Sequence, residues 1–189
     1  MEALREYMIP EGVVWIIEIK IIGGLLVLAA TTTMGFCYSN RLRLRIKHLR
    51  DFKRLMIYLK GEISHSSSSL PDAIAIIAKK EKGTFEDFLE RLLGELNSLK
   101  GIRFYEAWEQ SFDGMVSKTC LTKEDAQLIR GLGKTMGHMD KHTQLQCIDV
   151  FLNELEDEIN RSVEGSKDKV RIYNVTGVLF GAFVVIILS

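Results

Sequence analysis

Two apolar stretches bracket a polar middle, and they limit what this chain can become more than any other feature. From Ile21 to Tyr38 (IIGGLLVLAATTTMGFCY) and from Ile172 to Ser189 (IYNVTGVLFGAFVVIILS) there is no acidic or basic side chain. Each run is about as long as the hydrocarbon core of a bilayer requires of a helix. Both are expected to be transmembrane helices. A cleaved signal peptide fits the first poorly. The preceding MEALREYMIPEGVVWIIEIK carries four glutamates against one arginine and one lysine, where a basic region belongs, and no small-x-small site follows the apolar run. A buried core helix fits the second poorly, because the run is uncharged and contains glycines.

Charge then orients the pair. Arg41, Arg43, Arg45, Lys47 and Arg50 follow the first stretch, and Lys167, Lys169 and Arg171 precede the second. Positive flanks mark the cytoplasmic side. Residues 39–171 are therefore expected in the cytoplasm and 1–20 as a short extracytoplasmic tail, with both termini across the membrane. The basic run is accounted for by topology and contact with anionic headgroups. Over the 189-residue chain, acidic and basic residues balance at 25 each, and no aromatic residues interleave the basic ones, so nucleic acid is not an expected partner. Cys37, Cys120 and Cys147 are odd in number and form no CxxC pair, so neither a structural zinc nor a disulfide framework is expected.

The middle reads as helices. Leu42, Leu49, Phe52, Met56, Leu59 and Ile63 recur at intervals of seven, three and four residues, an apolar stripe of heptad type. Leu145, Ile148, Leu152, Leu155, Ile159 and Val163 repeat the pattern. The two stripes predict long antiparallel helices, continuous with the membrane stretches and able to pack together. Between them, Ser69, Thr84 and Thr122 are expected N-caps with a carboxylate three residues on. Gly83, Gly101 and Gly137 are expected stops, and Ser66 to Ser69 reads as a loop. The fold class is all-α: a membrane-anchored bundle whose cytoplasmic domain has about six helices.

Catalytic constellations are not expected. Gly133-Lys134-Thr135 resembles the end of a phosphate loop, but that motif needs glycine where Leu128 stands, and no strand precedes it. His138 and His142 lie four apart without the accompanying glutamate of a hydrolytic zinc helix. Phe85, Phe88, Phe104, Trp108, Phe112 and Phe151 fall at helical spacing and are expected in the core. No catalytic, cofactor or metal residues are assigned. One stretch, Leu132-Gly-Lys-Thr-Met-Gly-His-Met-Asp140, still places two glycines in a helical pattern, each costing about 1 kcal/mol relative to alanine. Gly133 is expected to admit a close neighbour, Gly137 to end a helix, and Asp140 to cap the next.

Taken in order, these features resemble the stage III sporulation protein AB family of endospore-forming Firmicutes. The resemblance is carried by Thr32-Thr33-Met34-Gly35 ending the first apolar run, Leu49 and Leu59, Glu62-Ile63, and Leu70-Pro71-Asp72-Ala73. Ala107-Trp108 and the stretch Leu132, Gly133, Met136, Gly137, Asp140 with Gln144 or Gln146 behind it complete it. It covers the chain from about residue 20 onward; the extension through Lys20 departs from the compact pattern. The family in turn resembles the inner-membrane platform proteins of type II secretion and type IV pilus systems. Their Gly-Glu-x-x-Gly-x-Leu signature falls on Gly133, Gly137 and Met139, with Lys134 in place of the acid. The resemblance implies a non-enzymatic platform in the channel-like complex joining mother cell and forespore, in the membrane facing the forespore. It also implies two kinds of partner: the stage III sporulation AA ATPase and other stage III A membrane proteins. The alternative from the heptad stripes alone is a membrane-tethered coiled-coil module for dimerisation or signalling, forming a homo-oligomer.

Overall fold

The computed structural model describes the backbone of residues 11–65, 69–98, 102–137 and 140–188; side chains of 166–188, and of many residues before 35, lie outside that description. Among the described residues there are six α-helices and no strand. They are α1 (Glu11–His65), α2 (Leu70–Lys80), α3 (Glu86–Asn97), α4 (Phe104–Val116), α5 (Lys123–Met136) and α6 (Lys141–Leu188). The chain divides into two compact units: Met1–Asn40 with Ser166–Ser189, and Arg41–Gly165, called the head below.

The expected start signals act as local chemistry predicts. At α2 the Ser69 N–H and hydroxyl both donate to Asp72, at 3.2 and 2.6 Å, with Pro71 in the first turn. At α5 the Thr122 N–H donates to the Asp125 carboxylate at 2.8 Å and the Asp125 N–H returns to the Thr122 hydroxyl at 3.2 Å, a reciprocal cap. The α3 start differs from expectation: its N-cap is Phe85, one residue past Thr84. Gly83 does not stop α2, which is capped two residues earlier by Glu81; it accepts the Glu86 N–H at 3.2 Å in the turn before α3, beside a Phe85 ring in the core 5.1 Å from Phe52. Gly101 lies outside the described residues, as do Ser66 to Ser68.

Within the head, α1 and α6 run antiparallel. Lys60 pairs with Asp149 and Lys53 with Glu156, while Phe52 meets Phe151 at 5.8 Å. Leu49, Phe52, Leu55, Met56, Leu59 and Ile63 of α1 are buried with Ile148, Phe151, Leu155 and Ile159 of α6. At the centre stand Phe85, Phe88, Phe104, Trp108 and Phe112, also buried. Phe88 meets Trp108 edge-on at 5.0 Å and Phe112 at 6.0 Å, geometries that add to the area term. Burial of each such side chain stabilises by about 1.5–3 kcal/mol.

In the other unit, α1 continues as helix and leaves Trp15, Ile22, Leu26 and Phe36 between 60% and 76% exposed. Thr33 spends its hydroxyl inside the helix, donating to the Ala29 and Ala30 carbonyls, a bond a mid-helix threonine makes to the preceding turn. Among the described residues no helix is long and apolar enough to cross a membrane. The side chains of 172–189 and part of those in 21–38 fall outside that description.

Candidate functional site: a glycine corner and its flanking grooves

The corner is built where α4, α5 and α6 meet. A Cβ added at Gly133 would lie 2.2 Å from Trp108 Cδ1, and one at Gly137 would lie 3.2 Å from Phe104 Cβ. Gly133 in α5 and Gly137 at its C-cap, four apart, therefore seat two aromatics four apart on the antiparallel α4. Residues so spaced share one helix face, which makes the fit possible. The Trp108 indole N–H donates to the Ile129 carbonyl at 3.1 Å, one turn before Gly133. Leu132 and Met136 are buried beside this seat. Gly137 is also the C-cap of α5, with φ −73°. It is thus chosen for space against Phe104 rather than for a left-handed turn.

The start of α6 completes the corner. Asp140 accepts the Thr143 N–H at 2.7 Å and the Thr143 hydroxyl at 3.2 Å. The first of these contacts does most to hold its carboxyl below the usual range. Gln144 reaches back to donate to the Met136 carbonyl at 3.1 Å, satisfying an acceptor that the end of α5 leaves open. Lys141 does the same for the Ser64 carbonyl at the end of α1, at 3.1 Å. Lys134 and Thr135 are exposed within α5, so the Gly-Lys-Thr triplet is mid-helix and not a loop.

A groove of about 540 Å³ runs along the α5–α6 side of the corner. Leu128, Leu132, Cys147, Phe151 and Val150 line it, and Val150 is 59% exposed. Among the described residues no three His, Cys, Asp or Glu side chains gather as a metal site would need. His142 instead meets the Gln146 side chain at 3.2 Å. His138 and Met139 lie outside the described residues.

The basic run divides on folding. Arg41, Arg43, Lys47 and Arg50 are exposed. Arg45 departs from them: its guanidinium is turned inward, 15% exposed, and grips Asp125 through two 2.7 Å bonds and Glu158 through a third. The Asp125 side chain is wholly buried. A carboxylate so placed needs a compensating charge, and Arg45 supplies it. Its bonds to Asp125 raise the Arg45 pKa above the ordinary arginine value. Next to it, His48 accepts the Cys120 N–H at Nδ1, 3.1 Å away, and burial holds the imidazole below its ordinary pKa. Neither the ion cluster nor this histidine bond was foreseen. The available signal was that Arg45 falls on the apolar stripe, three residues after Leu42 and four before Leu49.

A stage III sporulation protein AB of Bacillus subtilis (strain 168) is 24% identical over 174 residues, spanning 90% of this chain and 99% of the relative. A solved stage III sporulation protein AB superposes with a TM-score of 0.59 at 22% identity, covering 66% of this chain and 97% of that one; it shares the helical fold. The family model for stage III sporulation protein AB matches residues 20–189, nearly the whole length, and the chain belongs to that family.

Proposed function

We propose that this chain is a non-enzymatic membrane platform of the channel-like complex between mother cell and forespore in endospore formation. Its head docks the cytoplasmic secretion-type ATPase of the stage III sporulation AA type, alongside other stage III A membrane proteins. Residues 21–38 and 172–189 span the mother-cell membrane that faces the forespore, 39–171 lie in the cytoplasm, and both termini lie across the membrane. One observation carries the reading. The two helices that close the head against each other, α1 and α6, are the same helices that continue into the two apolar stretches. Large apolar side chains there, Ile22, Leu26 and Phe36, stand exposed, which suits a lipid surroundings far better than water. Family membership and the packed glycine corner are consistent with it.

The test is a pull-down of the full chain with the candidate ATPase from detergent, paired with deletion in a spore-former. Capture of the ATPase, with loss of late forespore gene expression and of spore yield, is expected. Normal expression and yield after deletion would sink the proposal. The rival, a coiled-coil module that zips with a second copy, has less to zip with. Both stripes already face each other in one chain through Phe52–Phe151 and the Lys53–Glu156 pair.

A further inference from the structure

Arg43, Lys47, Arg50 and Arg54 follow one another along α1 at steps of four, three and four residues, so they share one face. With Ile46, Asp51 and Val163 of α6 they line a groove of about 530 Å³. Asp51 pairs with Arg54 at 3.3 Å. Arg43, Lys47 and Arg50 have no carboxylate partner among the described residues. Elsewhere the head neutralises many of its cations: Lys53, Lys60, Lys80, Lys118 and Arg130 all reach acids on other helices. Three unpaired charges on adjacent turns repel one another, by a few tenths of a kcal/mol per pair. What sets Arg43, Lys47 and Arg50 apart is that they share one helix face and one groove, where a bound anion would offset their repulsion.

We propose that this groove is a binding site for the phosphate headgroup of an anionic phospholipid. The guanidinium forks of Arg43 and Arg50 suit phosphate oxygens, with Lys47 as a point charge between them. Ile46 and Val163 supply an apolar floor that inorganic phosphate would not use and a glycerol or acyl segment would. Both walls of the groove adjoin the apolar stretches in the chain. Arg43 comes five residues after Tyr38, and Val163 nine before Ile172, within the range over which basic residues interact with the membrane surface. The proposal rests on the two-span reading. Its content is narrower than a diffuse basic flank: Arg43, Lys47 and Arg50 form the site, Arg45 is spent on Asp125 and Glu158, and Arg41 lies outside the groove.

The experiment uses the full chain in a nonionic detergent. Bound short-chain phosphatidylglycerol, short-chain phosphatidylcholine and inorganic phosphate are measured by native mass spectrometry, for the wild type, Arg41→Gln, and the triple variant Arg43→Gln/Lys47→Gln/Arg50→Gln. Phosphatidylglycerol is expected to bind at least tenfold tighter than phosphatidylcholine. The triple variant should lose that affinity by about a hundredfold, about fivefold per basic residue, and Arg41→Gln should lose it by less than fivefold. A triple variant that keeps its affinity within threefold, with unchanged circular dichroism, overturns the site. Equal binding of the two lipids also overturns it. Displacement of phosphatidylglycerol by equimolar inorganic phosphate would assign the groove to soluble phosphate instead. Resistance of the chain to alkaline extraction from pure phosphatidylcholine vesicles, where the groove has no ligand, tests the spans separately, so the two failures can be told apart.

Discussion

Gly133→Ala tests the corner most directly. Its new Cβ would fall 2.2 Å from Trp108 Cδ1, 2.4 Å from Cγ and 2.8 Å from Nε1. Ordinary carbon contact begins at about 3.5 Å, so the indole must retreat by roughly 1.3 Å. It has little room: Trp108 is 1% exposed, with ring centroids of Phe88 at 5.0 Å, Phe104 at 5.8 Å and Phe52 at 6.4 Å. Overpacking of this kind costs about 1–3 kcal/mol. Retreat also pulls the indole N–H from the Ile129 carbonyl, and a buried orphan donor costs about 1–3 kcal/mol more. Alanine's better helix propensity returns about 1 kcal/mol. The net is a destabilisation of about 3 kcal/mol, or roughly 10 °C in unfolding midpoint for a head of this size. Gly131→Ala is the control, since nothing lies within 4 Å of its Cβ; it should be neutral or stabilise by up to about 1 kcal/mol. Thermal unfolding of the full chain in detergent, followed by far-UV circular dichroism and by the near-UV tryptophan band, reads both. If Gly133→Ala melts where Gly131→Ala does, the seat is not what the glycine is for.

Arg45→Gln leaves Asp125 buried without its cation and should destabilise by about 3–5 kcal/mol. Combined with Asp125→Asn it should cost less than the sum of the two single variants, whereas additive losses in urea unfolding would argue against a coupled pair. The His48 contribution depends on pH. Burial lowers the folded-state pKa below 6.5, with Asp51 opposing and Lys47 adding to the shift. Below that value the unfolded chain takes up the proton first, so the stability His48 provides is complete above about pH 6.5 and is lost as pH falls. The urea midpoint should therefore drop between pH 7.5 and 5.5 more steeply for the wild type than for His48→Gln, and parallel curves would contradict the assignment. In a background with Cys37, Cys120 and Cys147 replaced by serine, Lys53→Cys with Glu156→Cys should be joined within one chain by a bis-maleimide cross-linker whose span matches the Lys53–Glu156 side-chain pair. Dimers on a non-reducing gel would favour the self-associating alternative.

What the amino-acid order disclosed, and what it concealed, follows from the range of each interaction. Caps act over three residues, so Ser69 with Asp72 and Thr122 with Asp125 are legible directly. Stripes act over one helix face, so Leu49 through Ile63 and Ile148 through Ile159 announce their burial. The α3 start falls one residue past Thr84, at Phe85, whose ring packs against Phe52; a hydroxyl and a carboxylate three residues on locate a helix start only to within a residue or two. The glycine pair signalled close approach but not its partner. Periodicity says which face turns inward, and the identity of Phe104 and Trp108 as the facing residues is decided only by how α4 lies on α5.

Arg45 was the least legible, and the reason is physical. The stripe on α1 takes a step of seven from Leu42 to Leu49 where a step of three followed by one of four would keep the register, and Arg45 stands at the skipped position. A charge there cannot be left buried alone; it must find an acid or break the register. The acids it finds are 80 and 113 residues away, and one of them, Asp125, already caps α5. That one carboxylate serves both a local cap and a buried ion pair means the start of α5 cannot shift along the chain without uncovering the Arg45 charge. The cluster ties α1, α5 and α6 into a single register. It also takes Arg45 off the basic face, so the groove is lined by Arg43, Lys47, Arg50 and Arg54 without it.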